Sequence, residues 1–125
     1  MFIRVTSVLV LVMSFAACGG YSSPSAPSTG PTSAPAGSTT VNIPTGASTQ
    51  TTAAFGQNPL TISVGTTISW LNTDNTTHDA VADSGAWSSG NLTPGGRFNF
   101  TFASAGRFTY HCQIHPNMVG TIIVQ

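Results

Sequence analysis

The 125-residue chain contains no lysine and no glutamate. Its formal charges are Arg4, Arg97 and Arg107 against Asp74, Asp79 and Asp83. So few cations form no basic patch, which leaves nucleic acid a poor partner and argues against strong electrostatic steering of any partner. Cysteine is equally scarce, with only Cys18 and Cys112. Cys18 closes an N-terminal leader, so Cys112 has no disulfide partner in the domain that follows. No apolar run reaches the roughly 20 residues a membrane-spanning helix needs. No segment sustains a helical period, and no internal repeat is visible.

The first residues are a leader. Met1-Phe2-Ile3-Arg4 is a short basic start and Val5 to Ala17 an apolar run closed by small residues, so residues 1–17 read as a secretory signal segment. Ser14-Phe15-Ala16-Ala17-Cys18-Gly19-Gly20 resembles the lipobox of bacterial lipoproteins, with Phe15 where Leu is usual. That resemblance implies an exported protein, periplasmic or otherwise extracytoplasmic, held to a membrane by a lipid on Cys18. Residues 18–40 are rich in Ser, Thr, Pro, Ala and Gly, with almost nothing large enough to bury, and read as a linker. Residues 41–125 remain as one small domain with a modest core.

Within that domain, apolar residues recur with period two. Leu60, Ile62 and Val64 share one phase, as do Ile68 and Trp70, then Phe98, Phe100 and Phe102, then Phe108, Tyr110 and Cys112, and finally Ile122 and Val124. His78 to Asp83 is another short extended run. Turn signals such as Gly65-Thr66 and Ala103 to Gly106 separate the runs. The pattern predicts an all-β sandwich or barrel. Ala53 to Phe55, Asn72 to Thr77 and Ser84 to Gly96 carry no clear signal.

The chemistry concentrates near the C-terminus. Cys112, His115 and Met118 follow one another at three-residue intervals, giving a thiol, an imidazole and a thioether. A buried free cysteine is often only a small apolar filler, and Met is often core filler too. Here the regular spacing outweighs both readings, and an exported thiol is a liability unless something occupies it. His111 neighbours Cys112, so its side chain leaves the opposite face of the strand. It reads as a surface residue or a support to the ligands. That leaves His78, which opens its own extended run, as the second imidazole. Two His, one Cys and a weak axial Met form the ligand set of a blue-copper electron-transfer centre. Structural zinc sites favour more cysteines, so one copper per chain is the better match. Three rival readings stand beside the electron carrier. A copper carrier or buffer without redox duty would use the same ligands. A copper oxidase or nitrite reductase would need more chain than this for a second centre. A metal-free sandwich would leave the ligand spacing unexplained.

These residues together resemble the cupredoxins, the plastocyanin and amicyanin family, over about Val41 to Gln125. Trp70-Leu71-Asn72 followed by His78 is similar to the strand and loop that lead to that family's first histidine ligand. Ser89-Gly90-Asn91-Leu92-Thr93-Pro94-Gly95 is similar to the loop before its long aromatic strand. Tyr110-His111-Cys112-x-x-His115-Pro116-x-Met118 resembles the short ligand loop of amicyanin more than the longer one of plastocyanin. The resemblance implies a Greek-key β-sandwich with copper near one end, cycling between Cu(I) and Cu(II) and held by His78, Cys112, His115 and Met118. It also implies that His115 is the exposed ligand, through which electrons pass to redox protein partners. The family commonly has Asn after the first histidine ligand, where it braces the ligand loops; this chain has Asp79. An ionised carboxylate can accept such bonds but cannot donate them.

Overall fold

The computed structural model describes residues 37–125; the leader, Cys18 and nearly all of the linker lie outside the described residues. Seven strands form: β1 (Ser38–Ile43), β2 (Leu60–Ile62), β3 (Thr67–Asn72), β4 (Val81–Ala82), β5 (Arg97–Thr101), β6 (Gly106–His111) and β7 (Val119–Val124). Among the described residues a single 3₁₀ turn, Ala47–Thr49, is the only helical piece. One sheet has the order β1-β3-β5 and the other β2-β7-β6-β4. The all-β sandwich expected from period-two patterning is therefore what forms.

Two strands differ from the sequence expectation. β1 begins at Ser38, so Ser38, Thr39 and Thr40, which composition assigns to the linker, pair in parallel with Thr67, Ile68 and Ser69 of β3. The β-branched side chains of Thr39 and Thr40 suit a strand, but only Val41 and Ile43 are buried, too few to announce a strand on their own. The 78–83 run narrows to the two residues of β4. Around β4, isolated bridges join His78 to Leu92 and Val81 to Ser88. The signal-poor stretch after residue 84 thus folds back along this run as its partner.

The core follows the alternation. β3 is the middle strand of its sheet, and Ile68, Trp70 and Asn72 point inward from it. On its other face Ser69 is covered by Arg97, whose Nη1 donates to Ser69 Oγ at 2.8 Å. Trp70 is wholly buried, and its ring lies 5.7 to 6.5 Å from those of Trp87, Phe98, Phe102 and Tyr110. Tilted and edge-on aromatic packing at such distances adds to plain area burial. Tyr110 pairs in register with Gly120 on β7, and its ring lies across that glycine. A Cβ at Gly120 would stand 2.3 Å from the ring, so any side chain there would displace it.

The connectivity positions the site. Consecutive strands cross from one sheet to the other until β6, which pairs antiparallel with its successor β7. The β6–β7 connection is thus a short loop at one end of the sandwich, and it carries Cys112, His115 and Met118.

Candidate metal centre

Cys112 directly follows β6, in phase with the inward-facing Tyr110, and is fully buried. The loop closes on itself through the backbone. Cys112 N–H donates to Met118 C=O at 3.1 Å, and Met118 N–H donates to His115 C=O at 2.9 Å. A side chain pins the loop from outside: Asn117 Nδ2 donates to Ser48 C=O at 3.0 Å and to Gln50 C=O at 2.8 Å. The 3₁₀ turn therefore has a clear task, which is to buttress the loop. Met118 is wholly buried and His115 half-buried.

His78 arrives from the opposite side. Its N–H donates to Leu92 C=O at 3.1 Å and its C=O accepts from Leu92 N–H at 2.7 Å. The preceding turn is organised by Asn72, a buried amide at the end of β3. Asn72 Nδ2 donates to Thr76 C=O and Leu92 C=O, both at 2.7 Å, and Asn72 Oδ1 accepts from Asp74 N–H at 2.9 Å. Asp74 Oδ2 in turn meets His78 Nε2 at 2.9 Å, both side chains being out of solvent. This bond from His78 holds the Asp74 carboxyl below its ordinary range, helped by N–H donors from Asn75 and Gly46 and opposed by burial. With Nε2–H given to Asp74, His78 Nδ1 presents its lone pair inward.

Three donor atoms converge on one point. Cys112 Sγ lies 4.0 Å from His78 Nδ1 and 3.9 Å from His115 Nδ1, and the two Nδ1 atoms are 3.2 Å apart. These three side chains stand close enough together to hold a metal ion. A point equidistant from the atoms lies about 2.2 Å from each, within the range of about 2.0–2.3 Å for metal–imidazole and metal–thiolate bonds. Two imidazole nitrogens and a sulfur facing one another so closely repel as lone pairs and attract around a cation. The donor set therefore fits one copper ion.

Burial pushes the Cys112 thiol up from its ordinary value. The Asp79 and His115 backbone N–H groups pull it down, while the Asp79 carboxyl pushes it up further. Asp79 braces the site from below: its N–H points at Cys112 Sγ at 3.5 Å, and its Oδ1 accepts from Gln113 N–H at 2.6 Å. The carboxylate thus fills the accepting half of the role that Asn plays in the resembled family. His111 lies on the outer face, its Nδ1 against Asp83 Oδ1 at 2.6 Å. Asp74 and Asn72 have no place among the ligands read from the sequence. A signal for Asp74 exists: of three acids in the chain, two flank His78, at positions 74 and 79.

Comparison with known proteins agrees with this fold. A family model described as the cupredoxin-like domain matches residues 25–124. A novel purple cupredoxin from Nitrosopumilus maritimus is 33% identical, with a TM-score of 0.63 over 69% of this chain and 98% of that one. An amicyanin variant in its Cu(I) form is 24% identical, with a TM-score of 0.59 over 70% of this chain and 82% of that one. A reduced amicyanin variant is 22% identical, with a TM-score of 0.59 over the same shares. The amicyanins are likenesses of fold. The family match spans most of the chain, and with the purple cupredoxin it settles the matter: the chain belongs to the cupredoxin-like family, and its donor set fits one copper.

Proposed function

We propose that this chain is an exported copper protein that passes single electrons between redox protein partners. In this reading His78, Cys112, His115 and Met118 would hold the copper through two imidazoles, a thiolate and a thioether. When bound, copper supplies a one-electron Cu(II)/Cu(I) couple. The protein's part is to fix the donors in advance. The closed loop, the Asn117 anchor and the Asp74–His78 bond hold them in one place, so little rearranges when the charge on the metal changes. The observation that carries the reading is the triangle of two Nδ1 atoms and one Sγ.

A copper buffer would need its ligands open for exchange. His78, Cys112 and Met118 are all wholly buried, which favours the electron carrier. His115, half-buried and flanked by the exposed Ile114, is the ligand that offers partners a way to the metal. The leader and the lipobox-like segment support export and anchoring through Cys18.

The test is the visible spectrum of the full chain titrated with Cu(II). One equivalent should give an intense thiolate-to-Cu(II) band that bleaches reversibly on reduction. A chain that binds copper without that band has no Cys112 ligation, and the reading fails. Anchoring is tested separately: the mature protein should fractionate with membranes, and Cys18→Ser should release it.

A further inference from the structure

The two acids beside His78 are both buried, Asp74 at 3% exposure and Asp79 at 4%. Among the described residues neither has an arginine within ion-pair distance; the only ion-pair partner of either is His78, against Asp74. Buried carboxylates without a cation are expensive and are normally paired or set against a metal. These two approach the donor triangle from different sides, the Asp74 carboxylate through the back of the His78 ring and Asp79 with its backbone N–H at the Cys112 sulfur and its carboxylate on the N–H of Gln113, the residue after that cysteine. Both are held in place, Asp74 by the N–H groups of Gly46 and Asn75 and Asp79 by that of Gln113.

We propose that Asp74 and Asp79 are positioning residues that bias the copper site toward Cu(II), making this chain a low-potential carrier suited to donating electrons. The inference rests on the copper reading above. Reduction adds one electron at the metal and removes one positive charge from the site. Two fixed negative charges, with the thiolate a third, are balanced better by Cu(II) than by Cu(I). Asp74 adds a second effect, because a carboxylate accepting the Nε2 proton makes the imidazole a stronger donor through Nδ1. The chain should therefore take its electron from a strongly reducing one-electron donor and pass it readily to an acceptor protein.

The experiment is voltammetry of the full chain loaded with copper, comparing Asp74→Asn and Asp79→Asn with the original and with Asp83→Asn. Each of the first two should shift the Cu(II)/Cu(I) equilibrium toward Cu(I) at least tenfold, about 59 mV upward for a one-electron couple, with the coloured band retained. Asp83→Asn, at an exposed acid paired with His111, should move it by less than a third of that. A coloured site whose potential stays put, or falls, in both buried variants overturns the inference while leaving the copper reading intact. A colourless original chain sinks the copper reading itself and this inference with it. Should a variant fail to hold copper, ¹⁵N NMR of the copper-free original chain still decides the Asp74 part: His78 should be protonated at Nε2, and protonation at Nδ1 overturns it.

Discussion

His78 and His115 are the same side chain in two settings. His78 is wholly buried, bridged to Leu92 through both backbone groups and fixed by Asp74 at its outer nitrogen. His115 is half-buried on a short loop, and among the described residues no protein group bonds its outer nitrogen. One is built into the sandwich and the other is presented at its end. The proposed electron carrier would use this asymmetry: a fixed side to set the geometry and an accessible side to meet a partner.

The largest expected effect removes the group common to both sides. Cys112→Ala should abolish the coloured band altogether, since this is the only thiolate in the domain; a coloured variant would overturn the ligand assignment. Next, the asymmetry itself can be broken with a pair of cavity variants. His78→Gly and His115→Gly should each weaken copper binding or distort the spectrum. Added imidazole should restore the spectrum of the His115 variant, whose gap opens toward solvent, and leave the His78 variant unrepaired. Equal rescue of both would mean that the two settings do not differ in the way their burial indicates.

A smaller effect is expected at Met118. Its thioether is a weak donor that favours Cu(II), so Met118→Leu should raise the potential and Met118→Gln lower it, each by the order of 59 mV that marks a tenfold change. Unmoved potentials in both would make Met118 a core residue and no more. The smallest effect belongs to His111. Its ring is turned outward to Asp83, so His111→Ala should keep both copper and colour. A lost band there, with His78→Gly silent, would reverse the comparison.

Most of the strands were legible because a half-buried strand writes its burial into its own sequence. Phe98 and Phe100, then Phe108 and Tyr110, then Ile122 and Val124 each sit two apart, and each set turns inward. The candidate ligands on the β6–β7 loop were legible for a similar reason, since their spacing is local. β1 was not, because its threonines are neutral evidence until β3 lies beside them. Nor was the reach of the 78–83 run, which is set by partners at residues 87–92.

By itself, then, the sequence determined the fold class and a short list of donors with copper chemistry. Those properties follow from side-chain type and near-neighbour spacing. Only the tertiary structure decided that Asp74 stands behind His78, that Asn72 shapes the turn between them, and that Asn117 ties the ligand loop to residues 48 and 50. The last contact spans 67 to 69 positions of chain. No local pattern encodes such a pairing, because a hydrogen bond depends on where two groups end up in space, and the packing of the whole sandwich sets that.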